Sequence, residues 1–158
     1  MKRGMIHGRF QPFHLGHLEY LKGAAARSDE VFVGITNPDP THVKPEASDP
    51  VRHLPESNPY TYVERLHVIP FPVNTPELWD AYVPRDVVQY IRLFSDWGGT
   101  KLDRLRAAGF EVVVLDEGAE KELSGADVRA AIREGREWEE LVPAGVADVI
   151  KRLERVPV

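Results

Sequence analysis

GRFQPFHLGH, residues 8–17, decides the fold of this chain, because it places two glycines, an arginine and two histidines between a strand pattern and a helix pattern. Residues 5–6 are the apolar end of a short strand, and Leu18, Leu21 and Ala25 recur downstream at helical spacing. The motif therefore lies in the loop and first helical turn between them. Free backbone N–H groups and the dipole of such a helix start attract negative charge, so the stretch predicts a phosphate site.

Strand and helix patterns alternate along the chain around this motif. Strand patterns occupy residues 5–6, 31–35, 67–69, 87–94 and 111–115, and helix patterns occupy residues 18–26, 61–65, 101–108, 127–134 and 144–153. This alternation predicts an α/β fold with a parallel sheet of about five strands and helices on both faces. Residues 111–115 are almost wholly apolar, which is typical of a strand buried on both sides.

Local signals mark several helix boundaries. Thr61 with Glu64, and Ser124 with Asp127, fit the S/T-x-x-D/E capping pattern. Gly109 follows the helix pattern that starts at residue 101 and suits the residue just beyond a helix end.

The composition bounds the class of protein. The chain has 158 residues, 42% of them hydrophobic, which fits one globular domain over 1–158. No window reaches the roughly 18 apolar residues of a membrane span, and no export signal precedes the first strand, so we expect a cytoplasmic protein without a membrane partner. Without cysteine there are no disulfides or thiolate metal sites. A net charge of −5 disfavours nucleic-acid binding, so a phosphate ligand must be held by local cations.

His14 and His17 lie one turn apart at the helix start, where both imidazoles can donate hydrogen bonds to one phosphate. Two alternatives compete with this interpretation: a pair of ordinary surface histidines and a zinc site. Zinc is disfavoured because no H-E-x-x-H pattern, cysteine or third ligand at fixed spacing accompanies the pair. Arg9, Pro12 and Gly16 favour a phosphate, since they supply a cation, a fixed loop and room for close backbone approach.

A second helix start lies at residues 123–129, which read LSGADVR. Taken alone it is an ordinary capped helix. In a parallel sheet, however, the two helix starts would face each other across the carboxyl edge, where open α/β sheets bind ligands. With Arg9 on one side and Arg129 on the other, the pair predicts a clamp for a triphosphate.

Together the two blocks resemble the nucleotidyltransferase superfamily with the H-x-G-H signature, and within it the archaeal-type nicotinamide mononucleotide (NMN) adenylyltransferases. The resemblance rests on residues 8–17 and on S-G-x-x-[VI]-R at residues 124–129. It continues in NPYTYVER at residues 58–65, at Trp79 and in WEELVP at residues 138–143. It covers nearly the whole chain and implies a Rossmann-like nucleotidyltransferase fold.

The resemblance implies transfer of a nucleoside monophosphate from ATP or CTP to a phosphorylated acceptor, with release of pyrophosphate. His14 and His17 would bind the triphosphate and stabilise the transition state, while Arg9, Ser124 and Arg129 would hold its β and γ phosphates. The implied nucleotide-binding residues are Gly8, Phe10, Gln11, Gly16, Ser124, Gly125 and Asp127. The acceptor phosphate is already ionised, so positioning and charge neutralisation are enough and no general base is required. We expect Mg²⁺ to bridge the phosphates through substrate oxygens, without a protein metal site.

The acceptor side departs from the pattern of this family. Thr36 and Asn37 lead into a longer, proline-rich loop that runs to Asn58, residues 96–101 replace an asparagine-proline segment, and Ala126 replaces a common threonine. The candidate acceptor-binding residues are Thr36, Asn37, Arg52, Arg65, Trp79 and Trp97. Within the loop, His42, Lys44, Arg52 and His53 either read a second phosphate or phosphonate or are simply solvated.

The two tryptophans each carry two interpretations. Trp79 matches the tryptophan that stacks on nicotinamide in the family, yet a tryptophan on an apolar helix face is usually part of the core. Trp97 either stacks on a base or is packed.

Three functional hypotheses follow. The first is an NMN adenylyltransferase that makes NAD from ATP and NMN. The second is a cytidylyl- or adenylyltransferase that acts on another small phosphate or phosphonate. The third is a noncatalytic nucleotide sensor. The partners are small molecules in each case, and the resemblance also allows a homo-oligomer, because the family often forms rings of subunits.

Overall fold

Helices and strands alternate as the sequence predicts. A computed structural model describes residues 1–36, 66–118 and 122–154. Its strands are β1 (Arg3–Gly8), β2 (Glu30–Ile35), β3 (Leu66–Pro70), β4 (Val88–Leu93) and β5 (Val112–Glu117). Its α-helices are α1 (Leu15–Ala25), α2 (Asp96–Ala107), α3 (Gly125–Arg133) and α4 (Ala144–Glu154), and 3₁₀ helices span Pro76–Ala81 and Glu139–Leu141. None of the helices described is both long and apolar enough to cross a bilayer.

The five strands form one parallel sheet in the order β3-β2-β1-β4-β5. β1 lies at the centre, with β2 on one side and β4 on the other. The chain continues from β1 towards β2 and β3, and later enters the opposite half of the sheet at β4. Such a reversal of strand order opens a crevice at the carboxyl ends of the central strands, which is where open α/β sheets bind ligands.

Two hydrophobic clusters pack on the two faces of the sheet. Because neighbouring residues of a strand point to opposite faces, Met5 and Ile6 of β1 enter different clusters. The first cluster joins the sheet to α1, α3 and α4, through residues that include Leu21, Val128 and Ile150. The second joins it to α2 and to the 3₁₀ helix, through residues that include Leu105, Phe71 and Trp79. Helices on both faces confirm the predicted architecture.

One expectation about the sheet is wrong. The apolar run at residues 111–115 predicted a strand buried on both sides, but β5 is an outer strand whose apolar side chains are only partly buried. Its residues pack into the hydrophobic clusters on both faces of the sheet. On the face of α1, a Cβ on Gly23 would lie 3.1 Å from Leu115. The apolar residues of this strand indicate that helices pack on both of its faces. They do not indicate whether a further strand pairs with its outer edge.

The helix boundaries follow local signals with one exception. Gly109 has φ +87°, as expected for the glycine beyond a helix end. α2 begins at Asp96 rather than at residue 101, so the segment that follows β4 forms its first turns. The helix predicted for residues 61–65, with its capping pair, lies outside the described residues.

Candidate active site

A cavity of about 570 Å³ opens at the carboxyl end of the sheet. β1 contributes His7 and Gly8 to its lining, β4 contributes Arg92, and Thr36 follows β2. The first turns of α2 and α3 and the residues at the start of α1 complete the wall. The cavity therefore lies at the reversal of strand order, where the topology places a ligand site.

His14 and His17 cap α1 reciprocally. The Nδ1 atom of His14 accepts a hydrogen bond from the His17 backbone N–H, and the Nδ1 atom of His17 accepts one from the His14 N–H, both at 3.3 Å. Because each Nδ1 acts as an acceptor, a neutral ring carries its proton on Nε2, which leaves that N–H as the donor. The rings stack with centroids 3.6 Å apart, and both line the cavity.

Gly16 makes room for this stacked pair. A Cβ at Gly16 would lie 3.0–3.1 Å from the ring of His14, closer than ordinary van der Waals contact. Phe10 supports the other side, since its ring meets His17 edge-on at 4.9 Å. Phe10 has φ +53°, a left-handed conformation that a bulky residue rarely adopts. The geometry of the histidines is therefore held by packing as well as by the cap.

The start of α3 closes against the same loop. Ser124 and Asp127 form a capping box: the Asp127 carboxylate accepts from the Ser124 N–H at 2.8 Å and from its hydroxyl at 2.6 Å. These hydrogen bonds from Ser124 hold the pKa of Asp127 below its usual value. Arg129 donates from Nη1 to the carbonyl of Gln11, and a Cβ at Gly125 would lie 2.7 Å from that same oxygen. We call residues 8–17 and 124–129 the phosphate clamp.

Positive charge is concentrated in the cavity, although the chain as a whole is acidic. Arg9, Arg92, Lys101 and Arg129 line it, and none of its lining residues in the described chain is Asp or Glu. The Nη1 atom of Arg92 donates to the carbonyl of Gly16 at 3.0 Å, which fixes this cation beside α1. Two helix starts and four cations around one cavity favour a polyphosphate ligand.

Comparison with known proteins agrees with this geometry. Residues 5–131 match the family described as cytidylyltransferase-like. The chain belongs to the cytidylyltransferase-like family. The matched residues include the whole phosphate clamp, and the curated relatives are named as transferases of nucleotidyl groups, so the chain is a nucleotidyltransferase.

Two curated relatives align with this cytidylyltransferase-like chain over most of their length. It is 46% identical to a phosphonoformate cytidylyltransferase of Streptomyces viridochromogenes, with 94% of this chain and 90% of the relative covered. It is 34% identical to a nicotinamide-nucleotide adenylyltransferase of Thermococcus onnurineus, with 98% and 85% covered.

Among solved structures, a bifunctional NMN adenylyltransferase/ADP ribose pyrophosphatase of Francisella tularensis superposes with a TM-score of 0.57 at 13% identity. The match covers 89% of this chain but only 44% of that longer protein. At this identity the likeness shows the fold alone.

The cavity brings together most of the residues that the sequence singled out. The lining contains Gly8, Arg9, Phe10, Gln11, His14, His17, Thr36, Trp97, Ser124, Gly125 and Arg129. Gly16 and Asp127 lie beside it and shape the two helix starts rather than its wall. Asn37, Arg52 and Arg65 fall outside the described residues, as do His42, Lys44 and His53.

Trp79 is not where the predicted stacking role requires it. Its side chain is 1% exposed, belongs to the second hydrophobic cluster and does not contribute to the described wall of the cavity. The ring packs between Phe71 at 5.5 Å and Phe110 at 6.1 Å, and Nε1 donates to the carbonyl of Pro72 at 2.8 Å. The ring is thus enclosed by the core and its one polar atom is satisfied, and stacking of Trp79 on an acceptor stays a prediction.

The cavity also has lining residues that no sequence motif predicts. His7, Asn74, Arg92 and Lys101 all line the cavity, yet none belongs to a recognisable motif. A weak signal existed for two of them, because His7 and Arg92 are polar residues near the carboxyl ends of predicted strands, where ligands bind. Lys101 lies within a predicted helix pattern, which by itself does not indicate that its side chain lines a cavity.

Proposed function

We propose that the chain transfers CMP from CTP to a small phosphonate acceptor and releases pyrophosphate. The burial of Trp79 carries this choice, because the ring that the resemblance assigned to nicotinamide packs in the core and does not contribute to the described wall of the cavity. The greater identity to the phosphonoformate cytidylyltransferase, 46% against 34% for the nicotinamide-nucleotide adenylyltransferase, supports the same acceptor class.

In the proposed reaction, an ionised oxygen of the acceptor phosphonate attacks the α-phosphorus of CTP. A phosphorus–oxygen bond forms there while the bond to the oxygen that bridges to the β-phosphate breaks, and its electron pair leaves with pyrophosphate. No proton has to be removed from the acceptor, so the protein acts by positioning and by stabilising charge. The Nε2–H groups of His14 and His17 and the side chains of Arg9 and Arg129 are the proposed donors to the triphosphate.

Mg²⁺ enters this proposal as part of the CTP substrate. It prefers oxygen ligands, retains several waters and usually reaches enzymes through substrate phosphates. No group of three His, Asp or Glu side chains suited to a metal ion occurs in the described parts of the chain. We expect EDTA to abolish pyrophosphate release from CTP and added Mg²⁺ to restore it.

A matrix of nucleotides and acceptors tests the proposed function. The wild-type protein is assayed with CTP or ATP against phosphonoformate or NMN, and pyrophosphate release gives kcat/KM for each pair. We expect the largest kcat/KM for CTP with phosphonoformate. A larger value for ATP with NMN, together with NAD as a product, would overturn the proposal.

NMN adenylyl transfer remains the second candidate function because of Trp97. This side chain is 45% exposed, lines the cavity and lies under the guanidinium of Arg104 at 5.2 Å. An exposed indole at a cavity wall suits stacking on a nucleobase or a pyridine ring. The same matrix separates the candidates, and Trp97→Ala would then raise the KM for NMN. The curated relatives are named as enzymes, which disfavours a noncatalytic sensor.

A further inference from the structure

His7 is a buried polar side chain that the clamp does not use. It is the penultimate residue of β1, is 3% exposed and lines the cavity. Among the described residues, neither of its ring nitrogens has a partner in good hydrogen-bond geometry, although the Gln89 side chain interacts with the ring. Buried polar atoms are nearly always paired, because an unpaired one forfeits its hydrogen bonds to water. An imidazole left in this state at the wall of a cavity indicates that a ligand completes it.

The residues around His7 indicate the charge of the ligand. Its ring packs on Phe71 at 5.2 Å, and the neighbouring Gln89 also has an unpaired buried oxygen. Burial first, and then the charge of Lys101, hold the pKa of His7 well below its usual value. The ring is therefore neutral at pH 7 and carries one N–H donor, and the Lys101 ammonium lines the same cavity, so the two groups together match an anionic oxygen.

The position of His7 separates it from the clamp. β1 alternates between the two faces of the sheet, so His7 shares the face of Met5, which packs with α2, Phe71 and Trp79. The clamp leads into α1 and α3, and both of these helices pack on the opposite face. An anion at His7 would therefore be distinct from the triphosphate.

We propose that His7 and Lys101 form a second anion subsite, which receives a carboxylate carried by the phosphonate acceptor. This inference rests on the proposed function, since it names the feature by which the acceptor would be recognised. The carboxylate oxygens accept from the His7 N–H and from the Lys101 ammonium, while the phosphonate faces the clamp.

Matched acceptors test the subsite by binding. Phosphonoformate and acetylphosphonate are nearly the same size, but acetylphosphonate has a methyl group in place of one carboxylate oxygen. Calorimetric titration gives Kd for both acceptors and for CTP with wild type, His7→Leu and Lys101→Met. We expect wild type to bind phosphonoformate about tenfold more tightly or better, and each variant to lose that preference. The Kd for CTP should stay unchanged in His7→Leu.

Two controls distinguish recognition from a structural role. Arg106→Met removes an exposed cation of the same helix and should retain the wild-type preference. His7→Leu replaces an unpaired polar group with an apolar one, so its Tm should rise by ~3 °C rather than fall. A His7→Leu protein that binds both acceptors more weakly by the same factor would overturn the subsite, as would an unchanged preference in both variants.

The outcomes also separate this inference from the proposed function. Selective binding of phosphonoformate without turnover would overturn the proposed reaction and sustain the subsite. Turnover of CTP with phosphonoformate, with the preference for the carboxylate intact in both variants, would sustain the reaction and overturn the subsite. A wild-type protein that binds the two acceptors equally would overturn the subsite as well.

Discussion

The phosphate clamp and the face of the sheet around His7 differ in how far their polar groups are paired. In the clamp, His14 pairs with His17, Ser124 with Asp127, and Arg129 Nη1 with the Gln11 carbonyl, while Gln11 Oε1 and Arg129 Nε are buried without a partner among the described residues. Around His7, two buried polar side chains have unpaired atoms, and the aromatic ring nearby is enclosed in the core. The geometry of the clamp is thus largely set before a ligand arrives, whereas neither ring nitrogen of His7 is paired until a ligand binds.

Trp79→Ala tests whether this buried tryptophan stabilises the core rather than the acceptor site, and it has the largest expected effect. Removing a ring packed between Phe71 and Phe110 should lower the free energy of unfolding by about 3–5 kcal/mol, as measured by denaturant titration. The acceptor KM of the folded fraction should stay near that of wild type. Trp97→Ala is the matched control for stability, because this exposed tryptophan should contribute within about 0.5 kcal/mol. A Trp79→Ala protein with unchanged stability and a raised acceptor KM would return Trp79 to the acceptor site.

His17→Ala tests whether the clamp stabilises the transition state. Loss of the Nε2–H donor should lower kcat for pyrophosphate release roughly a hundredfold or more, since a donor to developing charge acts mainly in the transition state. The circular dichroism spectrum should be preserved. His67→Ala, at an exposed histidine of β3 that pairs with Glu30, should leave kcat unchanged. Equal turnover in the two variants would remove His17 from the mechanism.

Gly125→Ala tests the joint between the two halves of the clamp. Its Cβ would lie 2.7 Å from the backbone oxygen of Gln11, so α3 has to move away and Arg129 with it. We expect about a tenfold weaker Kd for CTP and a loss of about 1–3 kcal/mol in stability. Gly99→Ala is the control, because nothing lies within 4 Å of its Cβ and alanine favours the helix. Equal Kd values for the two variants would show that the close approach is not needed.

The same contrast explains what the sequence could predict. The clamp is encoded locally, because His14 and His17, or Ser124 and Asp127, reach each other within one helical turn. The alternation of patterns likewise gave the sheet and its two layers of helices. Residues 111–115 gave the wrong environment, because an apolar pattern shows that helices cover a strand and not that another strand pairs with it.

The acceptor side could not be predicted in the same way. Trp79 matched a family position, but whether its ring faces the cavity or the core depends on how it packs against Phe71 and against Phe110, which is distant in the sequence. His7 belongs to no motif, and the burial of both its unpaired ring nitrogens exists only after β1, α2 and Phe71 have packed. Such a site follows from tertiary packing rather than from a local pattern.

The pH dependence of stability tests the buried, neutral state of His7 and has the smallest expected effect. The unfolded chain binds a proton at His7 near pH 6.5, but the folded protein does not until a much lower pH, because burial and then Lys101 depress the pKa of this group. The unfolded state therefore gains stability as pH falls below about 6.5, and the protein loses at most ~1.4 kcal/mol per pH unit through this group. His7→Leu removes that contribution, so the difference between wild-type and variant unfolding free energies should change between pH 7 and 5. A flat difference would contradict the buried, neutral state of His7. Lys101→Met should narrow the pH range of the loss, because it removes the second cause of the depressed pKa.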